Sequence, residues 1–136
     1  MGDFGKPAKV ATPNLIALLN DSNGQVRTQA AWALGEIGES TIVTPHLIAL
    51  LNEPNWVLSS TAAAALTKLG QTDKGVAHLI ALLKVPQARN STIVTLGSLG
   101  TSAKRAIPSL IPLLNDPDGT TRHLATETLK KLGYQP

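Results

Sequence analysis

Three histidines, the three turn arginines Arg27, Arg89 and Arg122, and two tryptophans offer most of the chemistry in this chain. His46, His78 and His123 are each followed by Leu, and His46 and His78 stand 32 residues apart. Such spacing sets two imidazoles side by side, the beginning of a metal site. A protein zinc site needs at least a third ligand, and none recurs with the pair. The two are therefore read as solvent-facing histidines carried along with a repeat, and no metal is assigned. With no cysteine in the 136 residues, disulfides, thiolate ligands and thiol catalysis are excluded. The sequence also holds no Gly-rich phosphate loop, dinucleotide fingerprint or Gly-x-Ser-x-Gly elbow. No catalytic residue and no cofactor is assigned, and the balance is against an enzyme.

What must position these residues is a repeat. Leu-Ile-Ala-Leu-Leu occurs at 15–19, 47–51 and 79–83, and Leu-Ile-Pro-Leu-Leu at 110–114 is its fourth copy. Each copy ends on Gly after an aliphatic residue, at Gly38, Gly70, Gly100 and Gly133. The copies span about 6–38, 39–70, 71–100 and 101–133 of a single 1–136 domain. Two helices are expected in each. The first carries the pentad, with Pro13, Pro45 and Pro108 near its start, where a missing N–H costs least. Pro112 lies too deep for that, so the first helix of copy four should be kinked or late. The second helix shows apolar residues at helical spacing, Val26, Ala30, Leu34 and Ile37 in copy one, and Leu58, Ala62, Leu66 and Leu69 in copy two. The closing Gly suits a left-handed helix stop. A two-helix unit cannot bury its apolar face alone, and stacked units share one. The expected fold is all-α, a right-handed α-solenoid of about four helix pairs.

The Asp-Pro…Val-Arg turn, the LIALL helix and the "ALGEIG" ending together resemble HEAT repeats, and the short copies are similar to the subclass named for phycobilisome lyases. The resemblance covers residues 6–133. It implies an Asp–Arg ladder along the turns, filled here by Asp21 with Arg27 and Asp116 with Arg122. Copy two offers Glu53 with Ser59, while copy three keeps Arg89 but loses its Asp in a turn two residues short. Arg89 is left to pair with Glu53 or to hold a ligand anion. The resemblance also implies either an interaction scaffold or a role in attaching or removing phycobilins on phycobiliproteins. Any enzymatic activity would be related to bilin lyases.

In a HEAT array the second helices line the concave face. The residues expected there are Thr28, Trp32, Ser60, Ala64, Asn90, Val94, His123 and Glu127. Trp32, beside the small Ala64, makes an anchor for a partner's side chain; the competing reading folds it over Gly35. Trp56 replaces the Gly found at positions 24 and 119 and is expected over the notch beside Val85 and Pro86. With Arg89 it forms a secondary edge spot. The leading function is thus non-enzymatic protein binding on the concave face.

Charge adds one asymmetry. Residues 1–70 hold four Lys/Arg against five Asp/Glu, and residues 71–136 hold eight against four. The second half favours an acidic protein surface, and the resemblance to the lyase subclass implies a phycobiliprotein as the alternative partner. Nucleic acid ranks last, because no aromatic stacking platform accompanies the charge. The longest apolar runs are far short of a membrane span, which suits a soluble, cytoplasmic chain. The apolar Phe4, Val10 and Ile16 near the start suggest an exposed edge through which the chain could dimerise, and the polar last helix reads as a cap.

Overall fold

The computed structural model describes the backbone of residues 5–37 and 40–135, and the side chains of 11–37 and 41–135. It is an α-solenoid whose helices pair in chain order, α1 (Gly5–Leu18) with α2 (Gly24–Ile37), then α3 (Ser40–Leu50) with α4 (Trp56–Lys68). Copy three is α5 (Thr72–Leu82) and α6 (Arg89–Ser98). In copy four the first helix is broken into two 3-10 segments, Gly100–Ala106 and Ile111–Asn115, around the single turn α7 (Ile107–Leu110). The final helix is α8 (Gly119–Lys131). Pro112 removes a backbone donor and its ring clashes with the preceding turn, so the first element of copy four cannot run on as one α-helix. The array is right-handed, as the repeat pattern predicts. Phe4 and the side chain of Val10 lie outside the described residues, and Ile16 is half-buried against the first core.

The starts of the first helices differ from expectation. Pro13 and Pro45 do not open their helices; both lie inside, because α1 begins at Gly5 and α3 at Ser40. Pro45 is exposed at the middle of α3, and the carbonyl of the exposed Thr41, which it leaves without a donor, can turn to water. The second helices start on side-chain caps instead. Asn23 Oδ1 accepts the Gln25 amide at 2.8 Å, Asn55 Oδ1 accepts Val57 at 3.0 Å, and Asp118 Oδ1 accepts Thr120 at 2.9 Å. Ala88, at the start of α6, can give none. The helices stop as the Gly pattern predicts at Gly70, Gly100 and Gly133, all at positive φ, while Gly38 lies outside the described residues. Gly70 and Gly133 have φ of 93° and 92°, and the amides beyond them, of Gln71 and Tyr134, return to the carbonyls of Leu66 and Leu129.

Two cores form. The first gathers Leu19, Leu34, Val43, Leu47, Leu58 and Leu66; the second gathers Val76, Leu79, Ile93, Leu96, Leu110 and Leu132. Each fully buried Leu supplies about 2 kcal/mol of transfer free energy. Helix α4 belongs to both, giving Ala62, Ala65 and Leu66 to one and Ala63 to the other. Its stacking is uneven. On one side α4 lies along α2, the equivalent helix of the previous copy; on the other its main partner is α5. Gly75 makes that contact possible. A Cβ there would stand 2.2 Å from Thr67 Oγ1 and 2.3 Å from the Ala63 carbonyl oxygen, closer than atoms can pack.

Candidate binding groove on the inner helices

The most concentrated set of expected binding residues lies where α2, α4 and α6 come together. Trp32 of α2 stands over a depression of about 180 Å³ whose floor and sides include Ser60, Thr61, Ala64 and Lys68 of α4. Thr95 and Ser98 of α6 form the far wall. Trp32 is 58% exposed, the opposite of a core tryptophan. It does not fold over Gly35, because Gly35 faces Ala65 of α4 at a distance that leaves no room for a side chain between the helices. The Lys68 ammonium sits 5.7 Å from the centre of the indole ring, within cation–π range, and also pairs with Glu36. Both contacts hold the Lys68 stem upright beside the ring. The depression thus combines one large aromatic face, one cation and a band of hydroxyls.

Those hydroxyls are only partly committed. Ser60 Oγ donates to the Val57 carbonyl at 3.1 Å and Thr61 Oγ1 to the same oxygen at 2.8 Å. Thr95 Oγ1 donates to Ser91 and Ser98 Oγ to Thr95. Each hydroxyl oxygen keeps lone pairs for an incoming donor. The surface can therefore accept hydrogen bonds from a partner while the ring supplies apolar contact.

The other expected residues spread out. Thr28 lines a separate opening with Gly24, Asn55 and Val57, and its hydroxyl is turned back to the Gly24 carbonyl. Val94 is 51% exposed on α6 but is not part of the Trp32 depression. Asn90 accepts the Thr121 hydroxyl at 2.7 Å, which joins copies three and four. His123 and Glu127 are exposed on α8, where Glu127 meets Lys130. Trp56 is half-buried at the start of α4 and packs against the second core, on whose margin Val85 also lies. Arg89 occupies a different opening, with Lys84 and Ser109.

Thr61, Lys68, Thr95 and Ser98 were missed from sequence. One signal for Lys68 was available. It follows Glu36 by 32 residues, one repeat, and opposite charges at matched positions of neighbouring copies should meet. Asp73 and Arg105 repeat the rule, meeting at 2.7 Å.

The turn ladder needs correction. Arg27 does not pair with Asp21. Its Nε donates to the Leu19 carbonyl at 2.9 Å, and its terminal nitrogen meets Glu53 of the next copy at 3.0 Å. Arg122 donates to the carbonyls of Asp116 and Pro117. Asp21 and Asp116 instead accept amides two residues ahead, Asn23 and Asp118. A short Asp side chain closes its own turn more readily than it reaches across to an arginine. Arg89 does not reach Glu53, which is already held by Arg27.

The histidines also depart from expectation. His46 is exposed, but His78 is half-buried, and its Nε2 is shut away without a hydrogen-bond partner. Burial pushes the His78 pKa below its ordinary value of 6.5, so the ring is held neutral. Among the described residues no three His, Asp or Glu side chains group as a metal site. No described helix is long and apolar enough to cross a membrane.

Helices paired copy by copy, with turn arginines in copies one, three and four, point to one architecture, and the sequence comparison agrees: the family of HEAT repeats matches residues 12–90. The chain belongs to the HEAT-repeat family. Comparison with curated proteins returns no match. Among solved structures, a chain of the complex of CpcE and CpcF of phycocyanin lyase from Nostoc sp. PCC7120 is 29% identical, with a TM-score of 0.65. The match covers 97% of this HEAT chain but 57% of the Nostoc one, so this chain spans a little over half the length of that relative. An engineered protein is similar at 20% identity and a TM-score of 0.54, over all of this chain and 64% of its own. That second likeness concerns the fold alone. The first relates this HEAT array to phycobilisome-lyase-type proteins.

Proposed function

We propose that this HEAT array is a phycobilin-lyase-type module, acting on or beside a phycobiliprotein in the attachment or removal of its bilin chromophore. The observation that carries the reading is the likeness to a chain of the CpcE–CpcF complex over 97% of this chain at 29% identity. The inner groove is the surface on which the partner is received. Trp32 offers a flat apolar face, Lys68 a cation beside it, and Ser60, Thr61, Thr95 and Ser98 the hydrogen-bonding rim. A preformed surface on packed helices keeps the ordering cost of binding low.

The test mixes the protein with free phycobilin and with an apo-phycobiliprotein, and follows the visible absorption spectrum and covalent adduct formation. A spectral shift or an altered adduct yield supports the lyase-type role, and an unchanged spectrum and yield remove it. A second reading, a scaffold that binds its partner without chemistry, is favoured by the exposure of Trp32. It predicts capture of the phycobiliprotein with no spectral change. On either reading Trp32→Ala should weaken partner binding by about 1–2 kcal/mol, while thermal unfolding stays nearly unchanged. Equal losses of binding and stability would remove Trp32 from the binding surface.

A further inference from the structure

We propose that the opening between copies three and four binds a carboxylate carried on an apolar body. The inference stands apart from the lyase-type reading. The cavity holds about 370 Å³ and is walled by Ile80, Leu83 and Leu113, with Lys84, Arg89 and Ser109 as its polar groups. No acidic residue lines it.

The argument comes from comparing the same arginine in two turns. Arg27 and Arg89 are anchored alike, each through Nε to the carbonyl of the last Leu of its own pentad, Leu19 at 2.9 Å and Leu83 at 2.8 Å. Beyond that anchor they differ. The outer end of the Arg27 guanidinium is neutralised by Glu53 in the turn of the following copy. By the repeat register the matching acid for Arg89 is Asp116. That carboxylate instead accepts the Asp118 amide at 3.0 Å within its own turn and forms no ion pair with Arg89. Copy three has a turn two residues short, and Pro112 breaks the helix that should bring the next turn into place. Among the described residues the terminal amino groups of Arg89 therefore have no partner, although the side chain is half-buried.

A half-buried guanidinium edge without an acceptor is an unfilled place for a planar, bidentate acid. At Arg27 a carboxylate fills that place, and at Arg122 two backbone carbonyls do. Lys84, which makes no ion pair among the described residues, adds a second positive charge, and Ser109 adds a hydroxyl donor. The first turn of α6, which Arg89 opens, receives no side-chain cap and adds its positive end to the same field. The carboxylate would lie against Arg89 and Lys84, and its apolar body against Ile80, Leu83 and Leu113.

Octanoate is the probe, titrated into isotopically labelled full-length protein and followed by amide and Arg Nε–Hε resonances. The expected result is saturable movement of the Arg89 Hε signal together with the amides of Leu83, Ser109 and Leu113. Acetate and octanol should each bind more weakly by about tenfold, since one lacks the apolar body and the other the charge. Arg89→Gln should weaken octanoate by a similar factor. Because Arg89 also holds the Leu83 carbonyl, the exposed Lys84→Gln serves as a second variant that leaves the fold in place, with weakening expected there too. Octanol binding as well as octanoate, or octanoate affinity unchanged in Lys84→Gln, would overturn the proposal. So would octanoate moving Arg27 and Arg122 as much as Arg89.

Discussion

Copies one and two stack through equivalent helices, α2 on α4, whereas copies two and three meet through α4 and α5. In the first contact Gly35 lies against Ala65, and the charged ends match in register, Glu36 with Lys68. In the second, Gly75 seats α5 directly on the Ala63–Thr67 turn of α4. The difference shows that a sequence repeat does not guarantee a structural translation. One backbone-to-backbone contact redirects the stack, and α4 becomes the helix shared by two cores. The Trp32 depression reaches across α4 from α2 to α6, spanning this change in stacking. The unpaired Arg89 lies beyond it, where the turn and the next helix have both departed from the pattern.

If α4 truly couples the two cores, the array should unfold as one unit. Leu34→Ala in the first core and Leu96→Ala in the second should each cost about 3 kcal/mol, within a single urea transition. Two separated transitions in either variant would divide the molecule at α4. The seam itself is tested by Gly75→Ala, expected to cost about 2 kcal/mol because the new methyl meets a backbone carbonyl that cannot step aside. Gly97→Ala is the contrast. Its nearest neighbours are side-chain atoms of Thr128 and Lys131 at 3.1 Å and beyond, so the cost should be well below that of Gly75→Ala. Similar losses at the two glycines would remove the special status of the α4–α5 contact.

A smaller effect separates the capped helices from the uncapped one. Asn55→Ala removes the acceptor of the Val57 and Leu58 amides and should lower stability by about 1 kcal/mol. Ser91→Ala in the first turn of α6 removes no such cap and should be nearly silent. The smallest effect is the pH dependence from His78. Its folded pKa lies below 6.5, so the unfolded chain takes up the proton first as pH falls. Its stabilising contribution is complete above pH 6.5 and is lost as pH falls through the lowered folded value. His78→Leu should remove that part of the slope in urea denaturations between about pH 7 and pH 5. An unaltered slope would place the titration elsewhere.

Much of the fold was legible because its signals are local. The pentads, the closing Gly residues and Pro112 act within a few residues of themselves, and the helices, their stops and the broken element follow. Pro13 and Pro45 misled because a Pro inside a helix is tolerated where the freed carbonyl meets solvent, and exposure is not a local property. Within the candidate groove, Trp32, Ser60 and Ala64 share one depression, while Val94, His123 and Glu127 do not join them. Register counting gives the row in which a residue stands. It does not give the rotation of α6 relative to α4, and that rotation brings Thr95 and Ser98 to the wall in place of Val94.

By itself the sequence determined an all-α array of four helix pairs, since periodicity, Pro and Gly constrain each short segment independently. Only the tertiary structure decided which atoms meet across copies. Arg27 with Glu53, Lys68 with Trp32, Gly75 against Ala63 and the open end of Arg89 all depend on how one copy is rotated on the next. That rotation is set by side-chain volumes packed between helices, a property of the assembled core rather than of any one segment.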